Sequence, residues 1–468
     1  GTINVYSGSN TTSNSVSASS TVGSNFIVTN VLSAIGSMST SVGSLFAPGG
    51  PFDSSRLYSS TTAQGTTATM RAGITLALNF ASLSSSASIA ALAPDTQGDM
   101  RASGSAPAVV GSGNVSVISA LIDAGLRGNA ESSIASNVVG TEARPTTGSA
   151  ASMAVNVVQV SQSSNAFIGS GASVSGAHIG VKADSTTPIT ITWLNWDSFS
   201  AVTSHISGSF GVVSNILTSY ANATADSASL GISGAVNYFE VSTDTTAWVG
   251  SGATLTQTGS SSCVSASGTC WSTALPASLA GAPQPYAWTS DIQVVATTTT
   301  ASINVGGNFS WLKLFGTNST STEGTAIGGS ANVNIFHSNT VAGIGAGAKV
   351  TAIGKLAVTA NTSDLIYAVA PTSGKGSGLG LNGMASILEI DNTTSASISN
   401  LAQISAAFVA VNAEQDISSF NVAGGVGSAA ATGVGMVAAL VSTSLNTRAF
   451  ISEEHTSELQ SRLHLVCR

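Results

Sequence analysis

The sequence has very few charged residues. Asp, Glu, Lys and Arg together make up 7% of the 468 residues, whereas ordinary globular domains have about 25%. The 13 Lys and Arg residues form no cluster, so the sequence lacks the basic footprint of a protein that binds nucleic acid. Disorder is disfavoured too, because 43% of the residues are hydrophobic. Such a chain must stay soluble through hydroxyls, amides and exposed backbone, as extracellular β-repeat proteins do.

Cysteine and histidine are also scarce. Apart from one cysteine near the C-terminus, the chain has only Cys263 and Cys270, seven positions apart in a loop rich in Gly, Ser and Pro. This spacing predicts a local disulfide in an oxidising compartment, with a pair of free thiols as the alternative. No other His or Cys lies nearby in the sequence to complete a zinc site, so we expect neither a metal nor a cofactor.

The last stretch, residues 452–468, differs in composition from the rest. It holds two of the five histidines and five of the charged residues. Its beginning, SEEHTSELQS, resembles a sequencing adapter translated in one frame, so we expect a foreign tail outside the fold, with a short polar helix as the alternative. The start at Gly1 lacks an initiator Met and a signal segment, and we therefore expect the sequence to be a fragment.

What the sequence does contain is an internal repeat, the first feature to look for in such a chain. A box of the form A-x-[IV]-G-x-G-A occurs as Ala166–Ala172, Ala247–Ala253 and Ala342–Ala348, with a degenerate copy from Ala396 and a truncated one from Ala449. The residues nine and eleven positions before each box are all apolar: Val157, Tyr238, Val333, Ile387 and Leu440, then Val155, Val236, Ala331, Ala385 and Ala438. This alternation predicts a strand leading into each box.

A second signature, apolar-x-Val-x-Ala, follows each box. It occurs as Ile179–Ala183, Ile292–Ala296, Leu356–Ala360 and Val409–Ala413. The spacing gives a minimal unit of 53 residues, with insertions in longer copies near residues 184–220 and 256–289. Residues 149–451 contain these units, and residues 1–148 are predicted to form an irregular N-terminal part of the same solenoid.

A unit with several short strands, turns at Gly and Asn, and no helical pattern predicts an all-β solenoid. Our interpretation is a right-handed parallel β-helix with loop insertions, in which Val, Ile and Ala form a thin apolar spine. With coils of about 20 to 27 residues, each 53-residue unit would make two or more turns. The alternative is an array of β-sandwich or barrel modules.

The two largest insertions hold most of the tryptophans. Because aromatic residues are enriched in binding patches, these residues are the candidate binding loops: Trp193, Trp196, Trp271, Tyr286 and Trp288. The alternative, which we favour, is that the tryptophans pack the insertions onto the flank of the solenoid.

The boxes followed by V-x-V-x-A, over about residues 149–451, resemble the β-strand repeats of bacterial filamentous adhesins. The leukotoxin-type group is the nearest likeness, with autotransporter and two-partner-secreted passengers more widely. The resemblance implies a stalk secreted to, or displayed on, the outer surface of a Gram-negative bacterium through an outer-membrane secretion pore. It implies as partner a receptor or glycan on a host or neighbouring cell.

Two other functions compete with the adhesin hypothesis. A polysaccharide-acting β-helix enzyme needs clustered carboxylates, but Asp184, Asp197, Asp226 and Asp244 are spread one per segment among turn residues. We therefore expect no catalysis. Ice or surface binding through a flat threonine face is suggested by residues 297–300, and it ranks last because no T-x-T ladder recurs at coil spacing.

Overall fold

The structure is a computed structural model. It describes residues 1–11, 14–22, 62–63, 70–89, 92–94, 100–102, 108–123, 126–134, 149–187, 217–225, 229–260, 263, 268–274, 286–307, 321–322, 324–429 and 431–452. Trp193, Trp196, Asp197 and Asp226 lie outside the described residues, as does nearly all of the segment predicted to be a foreign tail.

The described residues form strands joined by turns and bends. In chain order these strands are β1 (Ile3–Thr11), β2 (Asn14–Val22), β3 (Thr62–Ala63), β4 (Met70–Ile89), β5 (Leu92–Pro94), β6 (Met100–Ala102), β7 (Ala108–Val110), β8 (Val115–Asp123), β9 (Leu126–Ile134), β10 (Ser149–Ile168), β11 (Ser173–Gly176), β12 (Ile179–Thr186), β13 (Leu217–Ala225), β14 (Leu230–Val249), β15 (Thr254–Gln257), β16 (Trp271–Thr273), β17 (Tyr286–Trp288), β18 (Ile292–Gly307), β19 (Ser321–Thr322), β20 (Thr325–Ile344), β21 (Lys349–Thr351), β22 (Lys355–Gly376), β23 (Leu379–Ile398), β24 (Gln403–Ser405), β25 (Phe408–Ala429) and β26 (Thr432–Ile451).

Three parallel sheets carry the fold. Sheet I contains β4, β10, β14, β20, β23 and β26, each 20 residues long. Sheet II begins with the successive strands β1, β8, β12, β18, β22 and β25, and its early coils continue in β2, β9 and β13. Sheet III is a stack of the short strands β7, β11, β15, β21 and β24. The chain visits sheets I, III and II in turn and then returns to sheet I, which defines a parallel β-helix.

One repeat unit makes one turn of this helix. Ile398 pairs with Ile344 in the preceding coil and with Ile451 in the following one, 53 residues further along the chain. The expectation of two or more turns per unit was therefore wrong. It assumed strands of ordinary length, whereas sheets I and II use strands of 20 and 22 residues, which are about 65 to 75 Å long at roughly 3.3 Å per residue.

The sheets are continuous from coil to coil, so the fold prediction is confirmed at the level of a parallel β-helix. An array of separate sandwich or barrel modules does not describe the molecule. The right-handed sense stays a prediction, based on the strong preference of parallel crossovers for that hand. The stack also extends into the N-terminal region, because β4 pairs with β10 over all 20 residues. The box there is reduced to Ala87-Ser88-Ile89, without the glycines.

Each coil has a blunt end and a tapered end. At the blunt end, sheet III separates sheets I and II; at the tapered end, sheet II bends straight back into sheet I, as between Gly376 and Leu379. The box builds the blunt end. Its second glycine takes a left-handed conformation at Gly171, Gly252 and Gly347, with φ near +70° in each, where a side chain would be strained.

The blunt end encloses the main apolar core. It contains the box alanines and the isoleucine or valine two residues later, packed on the second-signature residues of sheet II: Ala166, Ile168, Ala247, Val249, Ala342, Ile344, Ala396, Ile398, Ile179, Val181, Ile292, Val294, Leu356 and Val358. Every one of these side chains is essentially buried. The predicted apolar spine is present at this end, and a second buried apolar cluster lies nearer the middle of the coil, with Val158, Phe239, Phe336, Ile366 and Leu388.

Ladders of polar side chains fill much of the remaining interior. Thr298 and Thr362 of sheet II alternate with Thr340 and Thr394 of sheet I, with hydroxyl oxygens 2.7 to 2.9 Å apart. Nearer the tapered end, buried asparagines stack along the axis. Asn156 donates to Asn237 and Asn237 donates to Asn332, both at 2.8 Å. These bonds satisfy buried amides and hydroxyls that would otherwise destabilise the fold.

Candidate functional site

The successive coils begin with β1, β4, β10, β14, β20 and β23, and we number them in that order. The insertion in the fourth coil forms a strap over the outer face of sheet II. Strands β16 and β17 pair antiparallel, with Trp271 opposite Trp288. The two indole rings stack at 4.8 Å with an interplanar angle of 9°, and His178 stacks on Trp271 at 5.6 Å. Trp271 Nε1 donates to the Ser290 carbonyl at 2.9 Å. The described part of the strap is thus an antiparallel pair of short strands held together by stacked aromatic rings.

The strap covers coils that precede it in the chain. Its buried cluster includes Ile118 of the second coil, and Tyr6 of the first coil packs against it. Trp288 lies directly on Gly180 of the third coil, where an added Cβ would stand 2.5 Å from the indole ring. This contact requires glycine at position 180.

A buried carboxylate anchors the base of the strap. Asp291 is completely buried, and it accepts hydrogen bonds from Gln257 Nε2 at 2.9 Å, from the Cys263 amide at 2.9 Å and from the Lys355 amide at 2.7 Å. His178 Nδ1 lies 3.4 Å from its Oδ1. Burial lowers the pKa of His178, although Asp291 partly opposes this shift. The carboxylate therefore joins the fourth coil and its strap to the fifth coil through charge-assisted hydrogen bonds, and His178 of the third coil lies beside it.

A second polar anchor lies at the tip of β17. The Tyr286 hydroxyl donates to Asp184 Oδ2, and Lys182 Nζ lies 3.4 Å from the same oxygen and 3.9 Å from the centre of the Tyr286 ring. Burial, followed by the charge of Asp184 and the hydrogen bond to it, raises the pKa of Tyr286 well above its usual range. This tyrosine stays protonated and acts as a hydrogen-bond donor.

His178, Cys263 and Asp291 place potential metal ligand atoms within 4.8 Å of one another. Their chemistry fits a structural role better. Both oxygens of Asp291 already accept N–H groups, and Cys263 is paired with Cys270 across a Cα separation of 5.8 Å, which is typical of a disulfide. We therefore assign the cluster as the anchor of the strap.

Trp271, Tyr286 and Trp288 were the candidate binding residues in this insertion. The structure buries all three, at 7%, 3% and 1% exposure. As placed, they pack the insertion onto the solenoid and offer no aromatic surface to a ligand. Asp184, one of the spread carboxylates, is buried beneath the strap.

The outer face of sheet I is the largest feature that the sequence analysis did not anticipate. The residues that recur nine and eleven positions before each box lie on this face, because their neighbours point inward. Val157 and Val155 face outward, whereas Asn156 and Val158 are buried. The strands were predicted, but their inner and outer sides were exchanged in this half.

The two halves of this outer face differ in chemistry. The half near the tapered end is apolar, and the other half carries the carboxylates Glu240, Asp244, Glu389 and Asp391. Tyr238 stands at the boundary and donates to Glu240 Oε2 at 2.7 Å. This hydrogen bond is the main reason that its pKa is raised to about 12. Burial raises the pKa of Asp244, although hydrogen bonds from Thr246 and Asn339 oppose the shift.

Neither a family model, a curated protein nor a solved structure matches this chain. Its class therefore rests on its own geometry: a flattened parallel β-helix with one long coil per 53-residue repeat and an aromatic strap over sheet II. Among the described residues, no helix combines the length and the apolar character needed to cross a bilayer.

Proposed function

We propose that the chain is a segment of a secreted or surface-displayed filamentous adhesin, serving as a structural stalk. The observation that carries this proposal is the in-register pairing of whole coils. Twenty residues of β10 pair with twenty of β14 without a slip, and β14 pairs with β20 in the same way. A coil that pairs with its neighbour along its full length can be repeated to extend a filament.

Two further features support an extracellular setting. The Cys263–Cys270 pair in the strap suits an oxidising compartment. Outside the apolar half of sheet I, the outward positions of the sheet I strands carry mostly hydroxyls, small residues and a few charges, the surface composition expected of an extracellular β-repeat protein. Partners would be a receptor or glycan on a host or neighbouring cell, and export would use an outer-membrane secretion pore.

The stalk role is tested by lengthening the chain. Residues 379–431 make one complete coil, and inserting four or eight further copies after residue 431 should extend the particle by about 4.8 Å per copy. Electron microscopy would measure the length at constant cross-section. Particles that grow in several directions, or that separate into beads, would contradict a stalk.

The adhesive role needs a separate measurement. Beads coated with the chain should be retained under flow on a mucin-coated surface or on a layer of fixed bacterial cells, more than beads coated with albumin. Equal washing-off from both surfaces would remove adhesion from the proposal and leave the stalk.

One observation favours a second candidate, a polysaccharide-acting enzyme. Glu240 and Glu389 share one outward column of sheet I, two strands apart, so their Cα atoms are separated by about 10 Å. Paired carboxylates of inverting glycosidases stand about 6.5–9.5 Å apart. Release of reducing sugar by the full chain, lost in Glu240→Gln and Glu389→Gln but kept in Asp391→Asn, would favour this candidate over the non-catalytic stalk.

A threonine face for ice binding receives no comparable support. Thr298 and Thr300 are buried, so only alternate residues of that run face outward. The inward threonines are engaged in the hydroxyl ladder between the two sheets.

A further inference from the structure

The apolar part of the outer face of sheet I is a continuous surface, which we call the apolar half-face. It comprises the five outward residues among the first nine of each strand in β10, β14, β20, β23 and β26. None of these 25 positions holds a charged or amide side chain. Several large members are exposed, including Met153 at 41%, Ile232 at 39% and Met436 at 74%. A contiguous patch of this kind marks an interaction surface.

A trough runs along the middle of the apolar half-face. Gly234, Gly329 and Gly383 occupy one column on three neighbouring strands. Open space lies above Gly234 and Gly383, and the nearest atom to a Cβ on Gly329 would be 3.9 Å away. The same column holds Met153 at one end of the trough and Met436 at the other.

Two ridges form the walls of the trough. One ridge contains Ile232 and Ile327, two positions before the glycines. The other contains Val236 and Ala331, two positions after them. A ridge beside a trough of equal length is self-complementary, because a two-fold axis that lies between the two faces, parallel to the trough and midway between the trough and one ridge, brings each ridge opposite the other copy's trough.

We propose that a second copy of this chain docks on the apolar half-face, sheet I against sheet I, as an aligned sheet sandwich. Five strands at about 4.8 Å and nine residues at about 3.3 Å give a footprint of roughly 700 Å². This area is close to the ~800 Å² that each partner contributes to a stable interface.

Charge fixes how far the two faces of such a dimer can overlap. The chain carries a net charge of −8, so two copies repel except where the meeting surfaces are uncharged. Glu240, Asp244, Glu389 and Asp391 lie in the other half of the face. Rotation about the two-fold axis lays the apolar half of one copy on the apolar half of the other. The acidic halves then lie on opposite sides of the dimer, exposed to water.

Analytical ultracentrifugation of the full chain tests this dimer. The monomer mass is 46.1 kDa, and we expect twice that mass at micromolar concentrations. Ile327→Lys places a charge at the centre of the interface and should raise the dissociation constant roughly thirtyfold or more. The matched control is Asn339→Lys on the same strand, also exposed but in the other half of the face, and it should leave the dimer intact.

A second variant keeps the test independent of folding defects. Gly329→Cys places a thiol on the trough floor, inside the interface, where a short bis-maleimide should link two copies covalently, whereas Asn339→Cys lies outside the overlap and should give no covalent dimer under the same conditions. A wild-type monomer at 100 µM would overturn the proposal. So would an oligomer of unchanged mass in folded Ile327→Lys, because association would then use another surface such as the coil ends. Flotation of a monomeric chain with phosphatidylcholine vesicles would assign the face to lipid instead.

Discussion

The blunt and tapered ends of the same coil differ in how far apart sheets I and II lie, and therefore in which side chains fill the space between them. At the blunt end, sheet III holds the long sheets apart, and Ile, Val and Leu fill the space between them. At the tapered end the sheets converge. A Cβ on Gly306 of sheet II would stand 2.9 Å from Cβ of Asn237 in sheet I, and Ser152 donates directly to the Ser132 carbonyl at 2.9 Å.

This convergence explains the exchange of inner and outer sides. Mostly Gly, Ala, Ser and Asn face inward between sheets that lie so close, with Thr75 and Met384 as larger exceptions, and most large apolar residues of the same strands stand outside. Val155 and Val157 flank the buried Asn156 in this way. The space opposite a strand, as well as its alternation, therefore decides which side becomes the interior.

The largest effect should come from comparing the same Ile-to-Ala substitution, made separately, at the two ends of one strand. Ile344 is fully buried at the blunt end of β20, and Ile327 is exposed at its tapered end. Ile344→Ala should lower the free energy of unfolding by about 2–5 kcal/mol, and Ile327→Ala by less than about 1 kcal/mol. Urea denaturation measures both. Equal losses would remove the distinction between the ends.

The interior between the ends contains a carboxyl that opposes folding at neutral pH. Burial raises the pKa of Asp364 to about 6, although hydrogen bonds from Asn392 and Thr300 oppose the shift. Because this pKa is higher in the folded chain than in the unfolded one, the aspartate lowers stability progressively as pH rises from about 4 to 6. Asp364→Asn should therefore gain up to about 3 kcal/mol at pH 7.5. Thermal unfolding should show little gain at pH 4, and an equal gain at both pH values would contradict this origin.

Removing a buried asparagine of the ladder should lower stability more than removing an exposed asparagine of sheet I. Asn237 accepts from Asn156 and donates to Asn332 and Ser219. Asn237→Ala leaves these buried groups short of a partner and should cost about 1–3 kcal/mol. The control is the outward Asn339→Ala, which should change stability by no more than about 0.5 kcal/mol. Similar losses in denaturant titrations would mean that the ladder does not stabilise the tapered end.

The smallest effect concerns the strap, which covers sheet II beside the blunt end. Tyr286→Phe removes the hydroxyl that donates to Asp184, while Thr186 and Lys182 still contact this carboxylate. We expect a loss of about 1 kcal/mol. Hydrogen exchange should rise in β16 and β17 and stay unchanged in sheet I. A change spread over every coil would show that the strap is not a local clamp.

The sequence predicted the strands, their parallel stacking and the repeat length. The box alanines and the second signature pointed to residues that do form the core, such as Ala342 and Val358. The strand length was missed, because a turn-free run of 20 residues exceeds the usual range of 3–10. The inner side at the tapered end was missed because Asn156, Asn237 and Asn332 look like surface residues until their ladder is seen.

The strap could be located in the sequence, but its contacts could not. Its cysteines and tryptophans marked an insertion, and the disulfide was one of two alternatives. Its partners Tyr6, Ile118 and Gly180 are distant in sequence. No local pattern links them, because they come together only when three earlier coils are stacked.

Because the strap folds back over earlier coils, these coils are synthesised before the segment that covers them. Trp288 lies far downstream of Ile118 and Tyr6. Ile118 and Tyr6 therefore stay exposed until the strap has been synthesised. The first coils become fully protected only after the fourth has been made and its hairpin has folded back. A product that stops short of residue 263 would therefore leave Ile118 uncovered, and proteases should remove it in preference to the full chain.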